Sequence, residues 1–220
     1  EELNYMSFQY IIHLANYSDG VLYVLAILFL IELSVIIDRA WFMRSALRKG
    51  KTIIHQLSEV GKLTSEKLEE LMHEAKGQPE EQIITAAYRH MDLVHHYGSA
   101  RGEAFDNRLD EAIFLTTPFL DKRLWILDTT VTLAPLLGLF GTILGMFHAF
   151  SILAAPGHAP TQVTGGVADA LIATASGLFI AMVGLITFNA FNNAIDKTIQ
   201  QLESIKLLLI NRLDGAPNKN

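Results

Sequence analysis

The positive charges of this chain are confined to two blocks of the sequence. All 17 Lys and Arg residues fall within 39–123 and 197–219, whereas 1–38 and 124–196 contain none. Hydrophobic residues make up 50% of the chain and charged residues only 18%, below the roughly 25% usual for globular proteins. A water-soluble domain spreads its cations over its whole surface, so this distribution excludes a purely soluble protein.

The rest of the composition narrows the functional classes. The formal net charge is −6 and the pI is about 5.7, which argues against a protein that binds nucleic acid. The sequence has no cysteine. It therefore contains neither a disulfide framework nor a thiolate that would bind a metal or act as a nucleophile.

Three segments are long and apolar enough for transmembrane helices, which need about 20 apolar residues. We assign them to 21–43, 128–155 and 167–191. The first contains Glu32, and an acid at the centre of a membrane helix costs about 3 kcal/mol on insertion scales. A cleaved signal peptide explains the first segment poorly, because no basic residue precedes it and no small-residue cleavage site follows.

The positive-inside rule gives these spans a direction. Arg39 and Arg44 follow the first span directly, and the connection between the second and third spans has no Lys or Arg. The N-terminus is therefore expected outside and the C-terminus inside. The remaining segments are an amphipathic outer-face segment (1–20), a cytoplasmic domain (44–127), a periplasmic loop (156–166) and a cytoplasmic C-terminal tail (192–220). A disordered tail is the alternative for the outer-face segment.

The cytoplasmic domain is predicted to be helical, because it lacks the β-branched runs that are typical of strands. Thr64 or Ser65 is the predicted N-cap of a helix that ends at Gly77. A long amphipathic pattern begins after Pro79 and leads into the second span without a clear break, with a kink expected at Pro118. The predicted fold is an all-α membrane protein whose three transmembrane helices extend into a cytoplasmic helical bundle.

Signals for catalysis or metal binding are weak. His90, His95 and His96 stand five and six positions apart, whereas metal-binding histidines on a helix usually stand four apart. The sequence has no nucleophile-elbow, Walker A or HExxH pattern. We therefore expect histidines that pack or face water, and we expect neither an enzyme active site nor a metal site.

Small residues recur every three or four positions in the second and third spans and form one stripe on each helix. The stripes comprise Ala134, Gly138, Gly141, Thr142, Gly145 and Ala149 in the second span, and Ala170, Ala173, Thr174, Gly177, Ala181 and Gly184 in the third. Such stripes let membrane helices approach closely, and close packing alone is the simplest interpretation. Gly50 lies in a polar boundary region instead, and we expect it to tolerate a larger side chain.

Two features of the stripes go beyond packing. Thr142 and Thr174 bring a hydrogen-bond donor and acceptor into each stripe. At a rise of about 1.5 Å per residue, both lie near mid-membrane at similar depth. Asp169, at the outer mouth of the third span, is the only acid between Asp128 and Asp196. An ionisable group in or near a span indicates a functional site.

Three segments resemble signatures of the ExbB/TolQ/MotA proton-channel family. Its second span, with an APLLGLxGTVxGM run, resembles LDKRLWILDTTVTLAPLLGLFGTILGMFHAF at 120–150. Its third span resembles GGVADALIATASGLFIAMVGLITFNAF at 165–191, and its acidic-Arg-aromatic boundary is similar to IIDRAWFMR at 36–44. Three spans with a large loop between the first two fit the ExbB/TolQ branch of the family.

The resemblance implies a ring of such subunits, typically five, around the single transmembrane helices of two ExbD/TolR-like chains. The partner contributes a membrane aspartate that gains and loses a proton, so protons are the coupling ion and no other cofactor is expected. Proton flow is thought to rotate the ring relative to the partner helices and to energise a TonB-like or TolA-like protein. The expected location is the inner membrane of a bacterium, in contact with its lipids.

By motif position, the resemblance places Thr142, Thr174 and Asp169 on the proton pathway. Pro135 matches the proline at the start of the family's second span. Helix packing and pore lining are expected for Pro135, Gly138, Gly141, Gly145, Ala170, Gly177, Ala181 and Gly184. Glu32 does not belong to the family pattern. We expect its carboxylate to snorkel to the cytoplasmic boundary or to pair with a neighbouring subunit, and a specific ionic role is the alternative.

The predicted function is an ExbB-like proton-channel subunit that energises TonB-dependent transport across the outer membrane. The alternative within the family is a TolQ-type subunit of the Tol-Pal envelope system, or another specialised motor. Outside the family's chemistry, the alternative is a membrane scaffold without ion flow. The two stripes carry no carboxylate apart from Asp169, which slightly favours protons over sodium.

Overall fold

The computed structural model of the chain describes residues 20–61, 63–97, 103–153 and 160–214, and the ordered elements within them are all helices. They are α1 (Val21–Glu59), α2 (Ser65–Glu74), α3 (Glu80–Tyr97), α4 (Glu103–Leu120), α5 (Leu124–Leu153) and α6 (Pro160–Asp214). Three stretches are long and apolar enough to span a membrane: Val21–Glu59, Leu124–Ser151 and Gly165–Arg212. The prediction of an all-α chain with three such helices is confirmed. The outer-face segment 1–20 lies outside the described residues, except for Gly20.

The described residues form two compact units. The apolar unit takes its residues from Glu1–Ile37 and Arg123–Asn189, and the polar unit from Asp38–Lys122 and Ala190–Asn220. α1 and α6 contribute to both units and are continuous across each boundary. Each unit has its own buried apolar cluster.

Local sequence signals explain the helix ends in the polar unit. Thr64 caps α2, because its hydroxyl accepts a hydrogen bond from the Lys67 backbone N–H at 3.3 Å. Gly77 lies between α2 and α3 with a φ of +73°, a conformation that glycine adopts without strain. Its N–H donates to the Glu81 carboxylate at 2.6 Å, in the first turn of α3, where negative charge is favoured by the helix dipole.

The expectation of a helix that leads unbroken into the second span is wrong. α4 ends at Leu120 and α5 begins at Leu124, and Arg123 between them has a φ of +68°. A non-glycine residue in this left-handed region interrupts the helical hydrogen bonds. Pro118 lies inside α4 and does not end it. Arg39 donates to the carbonyl of Leu120 at 3.3 Å, which satisfies one of the acceptors left free at this helix end.

The third apolar helix extends beyond the predicted span 167–191 at both ends. α6 begins at Pro160, inside the predicted loop 156–166, and continues to Asp214, through most of the predicted tail 192–220. Proline suits the first turn of a helix, where its missing N–H has no intrahelical acceptor. Burial explains why α6 continues to Asp214, because the C-terminal part of this helix contributes fully buried side chains to the polar unit. These are Leu202, Ile205 and Leu209.

Gly50 does not lie in the permissive surroundings that we predicted for it. It is buried in the polar unit, and a Cβ atom added to it would lie 2.6 Å from Gln201 Oε1 and 2.7 Å from Glu80 Oε1. The neighbouring charges in the sequence indicated a solvated boundary. The three residues are distant in sequence and meet only in the folded chain, so their contact left no local signal.

Candidate functional site

The stripes of small residues on α5 and α6 face each other. A Cβ atom added to Gly138 would lie 2.8 Å from the carbonyl oxygen of Ala173 and 3.0 Å from the Cα of Thr174. These separations are too short for any added side chain, so the two backbones touch. Close backbone approach is the arrangement that small residues permit between membrane helices.

The same contact extends along both helices. A Cβ atom on Gly141 would lie 2.8 Å from the Ala173 Cβ, and one on Gly145 would lie 2.7 Å from the Ala170 Cβ. Gly177 faces the backbone of α5 in the same way. We call this contact the α5–α6 seam, formed by Ala134, Gly138, Gly141, Thr142 and Gly145 on α5 and by Ala170, Ala173, Thr174 and Gly177 on α6.

The two threonines meet within the seam. Thr142 Oγ1 and Thr174 Oγ1 lie 2.9 Å apart, which is a hydrogen-bond distance. The Thr174 hydroxyl is also 2.9 Å from the carbonyl oxygen of Gly138 on the facing helix. The Thr142 hydroxyl lies 2.7 Å from the Leu139 carbonyl oxygen of its own helix. The similar depth expected from helix geometry is therefore observed.

A count of donors and acceptors shows that this pair can accept further hydrogen bonds. Each hydroxyl has one hydrogen to donate and can accept through its lone pairs. When Thr174 donates to Gly138 and Thr142 donates to Leu139 or to Thr174, acceptor lone pairs remain on the hydroxyl oxygens. Thr142 is 8% exposed and Thr174 is half-buried. The pair therefore presents a small polar surface at one edge of an otherwise apolar seam.

Some of the other predicted site residues lie away from the pair of Thr142 and Thr174. Pro135 is half-buried in α5, and Ala181 is buried in the core of the apolar unit. Gly184 contacts Val131 and Glu32 rather than the glycines of the seam. Asp169 lies within α6, but its side chain is outside the described part of the chain.

Of the two positions expected for Glu32, snorkelling to the cytoplasmic boundary is not observed. Its side chain is completely buried in the apolar unit, and neither carboxylate oxygen has a hydrogen-bond partner among the described residues. A Cβ atom added to Gly184 would lie 3.0 Å from Glu32 Oε1. The carboxyl group is therefore tucked against α6 instead of snorkelling to a boundary. The absence of a side chain at Gly184 makes that position possible.

Of the three histidines of the cluster, the structure describes the side chain of His90. The His90 ring stacks on the Phe105 ring, with centroids 4.4 Å apart and an interplanar angle of 21°. The side chains of His95 and His96 lie outside the described residues. No group of three His, Asp or Glu side chains suited to a metal ion occurs in the part of the chain that the structure describes.

Glu80 is a second buried acid, and its burial was not predicted from the sequence. Glu80 is fully buried in the polar unit, and its carboxylate and the Gln201 side-chain oxygen converge on Gly50. Neither Glu80 oxygen is hydrogen-bonded to another of the described residues. Burial raises the pKa of Glu80 from 4.5 to about 7, against the opposing effects of its own backbone N–H and the positive charge of Lys49. In the sequence, Glu80 follows Pro79 at a helix start and therefore resembles an ordinary residue of the first turn.

The chain is similar to proteins of one membrane family. The model of the MotA/TolQ/ExbB proton channel family matches residues 75–204, which include both threonines of the seam. The Tol-Pal system protein TolQ of Haemophilus influenzae is 29% identical over 177 residues, which is 76% of this chain and 77% of TolQ.

Two further relatives match shorter stretches. The biopolymer transport protein ExbB of Xanthomonas campestris is 33% identical over 106 residues, covering 48% of this chain and 42% of that protein. The putative biopolymer transport protein ExbB-like 3 of Synechocystis is 35% identical over 88 residues, covering 39% of this chain and 42% of its own length. The chain thus spans less than half of the length of these two relatives.

Proposed function

Because the chain belongs to the MotA/TolQ/ExbB proton channel family, we propose that it is a proton-channel subunit of an ion-driven motor in the inner membrane of a bacterium. Three helices of spanning length and the paired hydroxyls of the α5–α6 seam support this proposal. The N-terminus is periplasmic and the C-terminus cytoplasmic in this arrangement. The chain acts as a channel and motor subunit, not as an enzyme, and the proton is its coupling ion.

The contact between Thr142 and Thr174 is the observation that carries the proposal. A carboxylate on a partner helix is costly inside a bilayer unless polar groups surround it. The free lone pairs of the two hydroxyls accept a hydrogen bond from the neutral acid, and a hydroxyl that turns away from its present acceptor donates to the ionised carboxylate, so the pair is suited to both states. Because the pair provides only two hydroxyl oxygens and their nearby carbonyls, it suits a proton better than a sodium ion, which needs a fuller shell of oxygens.

The working assembly in this proposal is a ring of subunits, with five as the expected number, around an ExbD/TolR-like partner with one transmembrane helix. The partner supplies the aspartate that takes up and releases the proton beside the threonine pair. Asp169 at the outer mouth of the third span belongs to the same route. Movement of the ring relative to the partner then does work on a TonB-like or TolA-like protein.

The preferred role is the ExbB-like one, in which the motor energises TonB-dependent transport across the outer membrane. A TolQ-type role in the Tol-Pal system is the second candidate, and the similarity to TolQ over 76% of this chain favours it. The protein that co-purifies with the complex separates the two roles, since one requires a TonB-like protein and the other a TolA-like protein. A scaffold without ion flow remains the alternative outside this class, and the following experiment tests it.

The experiment removes the two hydroxyls and keeps the shape of the side chains. Either Thr142→Val or Thr174→Val should strongly reduce proton-driven work, and the double variant should abolish it, with a normal yield of the intact complex. The measurements are energised uptake or motor output in cells and the amount of assembled complex in their membranes.

Thr132→Val is the matched control. Thr132 is an exposed threonine of α5 whose hydroxyl bonds only to carbonyls of its own helix, at 2.9 and 3.3 Å. This variant should retain full output. Normal output from the double variant of Thr142 and Thr174, at normal yield, would contradict a role of the pair in the proton pathway and would favour the scaffold.

A further inference from the structure

Glu32 occupies an unusual position for an acidic residue of a membrane-spanning helix. Its side chain has no exposed surface, and both carboxylate oxygens are buried without a hydrogen-bond partner among the described residues. The backbone of Gly184 and one methyl group of Val131 lie close to it, because a Cβ atom at position 184 would meet Glu32 Oε1 at 3.0 Å and Val131 Cγ2 at 2.9 Å. The carboxyl therefore lies at a contact of α1, α5 and α6.

The charged and titratable groups around this contact do not neutralise an ionised Glu32. On α6 the sequence has none between Asp169 and Asp196, and on α5 the nearest is Asp128, which is exposed. On α1 itself, the nearest are Tyr23 and Asp38. Arg123, just before α5, lines a cleft along the same stretch of α1 but on another face of that helix, with Ile27, Leu30, Ile31, Ser34, Val35 and Ile126. Neither Glu32 oxygen is hydrogen-bonded to that guanidinium.

An unpaired carboxylate in such a place is much less stable than the neutral acid. Removing an ionised carboxyl from water without a partner is so costly that the group takes up a proton instead. A neutral carboxylic acid has one hydrogen to donate. Pro135 leaves an acceptor in α5 at this level, because it has no N–H to give to the Val131 carbonyl. The surroundings therefore suit the protonated form.

We propose that Glu32 is a proton-binding site of the apolar unit, which holds its proton while α1 packs against Gly184 and releases it when the carboxyl reaches water. A sodium ion is a poorer occupant, because it needs a cage of several oxygens, whereas neither Glu32 oxygen has a polar partner among the described residues. The site is separate from the threonine pair. Gly184 follows Thr174 by ten residues, which is about 15 Å along α6. The proposal thus goes beyond the proposed function and does not depend on it.

Infrared spectroscopy of the purified full-length complex tests the protonation directly. The difference between the wild-type and Glu32→Gln spectra should contain the C=O band of a protonated carboxylic acid at acidic and neutral pH. That band should be replaced by carboxylate bands only at alkaline pH. Carboxylate bands at every pH, or bands that respond to sodium at constant pH, would overturn the proposal. Since Gln imitates the neutral acid, failure of Glu32→Gln to accumulate would show that the negative charge is required, and would overturn it as well.

The link to helix packing needs a second comparison. Gly184→Ala places a methyl group 3.0 Å from Glu32 Oε1 and 2.9 Å from Val131 Cγ2, closer than packed atoms normally stand. It should therefore push the carboxyl aside and reduce the protonated-acid band at neutral pH. Gly165→Ala on the same helix is the matched control, because nothing lies within 4 Å of the added atom, and it should leave the band unchanged. An unchanged band in Gly184→Ala would contradict the link between packing and protonation.

The outcome is distinguishable from that of the threonine experiment. The double valine variant of Thr142 and Thr174 should keep the Glu32 band, because its side chains lie about three helical turns away. A complex that keeps the Glu32 band but retains full output in the double valine variant would contradict the proposed threonine pathway only. Loss of output in the valine variant, together with an ionised Glu32, would contradict the Glu32 proposal only.

Discussion

The Cβ atom of Ala170 lies 2.7 Å from the point where a Cβ atom of Gly145 would stand. This separation is shorter than any carbon–carbon contact that packed side chains make, whose optimum is about 3.5–4.0 Å. The two helices are therefore as close at this level as the Ala170 methyl group allows. A side chain at position 145 would have to push α5 and α6 apart.

Gly145→Leu is expected to impair assembly for this reason. Overpacking usually costs roughly 1–3 kcal/mol, and we expect at least the upper part of that range because neither backbone can move aside locally. The measurement is the yield of the complex and its thermal stability in detergent. Gly165→Leu is the control, since position 165 is exposed with nothing within 4 Å of an added Cβ. Equal yields of the two variants would argue against the tight seam.

Gly50→Leu is expected to destabilise the polar unit, in contrast to our expectation from the sequence. Replacing glycine by leucine inside a helix is favourable by less than about 1 kcal/mol in helix propensity. The crowding against the oxygens of Gln201 and Glu80 is expected to cost roughly 1–3 kcal/mol and to outweigh that gain. Gly61→Leu, at an exposed position with open space around it, should be close to neutral. Thermal unfolding of the purified chain measures both, and a stabilised Gly50→Leu would refute the crowded site.

The buried Glu80 should make stability depend on pH. Its pKa is raised to about 7 in the folded chain from an ordinary 4.5, so the folded form binds the proton more tightly than the unfolded form. The stabilisation is fully present below about pH 4.5 and is lost as the pH rises through about 7. At about 1.4 kcal/mol per pH unit, the loss amounts to roughly 3 kcal/mol.

Glu80→Gln is the variant that checks this dependence. It should unfold at nearly the same temperature at pH values below and above the wild-type transition, because the amide does not titrate. Glu69→Gln, which changes an exposed acid of α2, should keep the wild-type dependence. If the wild-type chain were equally stable across that pH range, Glu80 would have to be ionised in the folded state.

Cysteine labelling in this cysteine-free chain tests the orientation in the membrane. Single cysteines in place of Ser18 or Gly157 should react with an impermeant thiol reagent in intact spheroplasts. Cysteines in place of Ser58 or Lys76 should react only after lysis, although both side chains are exposed and accessible to the reagent. Labelling of position 76 before lysis would reverse the proposed orientation.

The parts of the molecule that were predictable are those that depend on neighbours along the chain. The spacing of small residues placed Gly138 and Gly177 on the faces where α5 and α6 meet, because helical periodicity fixes which residues share a face. Thr64 or Ser65 was predicted as a cap from its position before an amphipathic helix, and Thr64 is the cap in the structure. Thr142 and Thr174 were expected at similar depth from helix rise alone.

The parts that were not predictable depend on residues far apart in sequence or on unusual backbone conformations. Nothing near Glu32 indicates that Gly184 leaves space for its carboxyl. The tolerance of Gly50 to a larger side chain was predicted wrongly, because Gln201 is distant in sequence and contacts Gly50 only in the folded chain. The break before α5 was missed because Arg123 is neither glycine nor asparagine, the residues that usually adopt its left-handed conformation.

The close packing of the α5–α6 seam limits the leakage of protons across the membrane. A water molecule is about 2.8 Å across, and the seam at Gly138 and Gly141 does not accommodate even an added methyl group. A continuous file of water therefore cannot run between α5 and α6 of one protomer, and protons cannot short-circuit the membrane by that route. The proposed conducting route would therefore pass over the edge of the seam, where Thr174 is half-buried and where a second surface would be needed to enclose it.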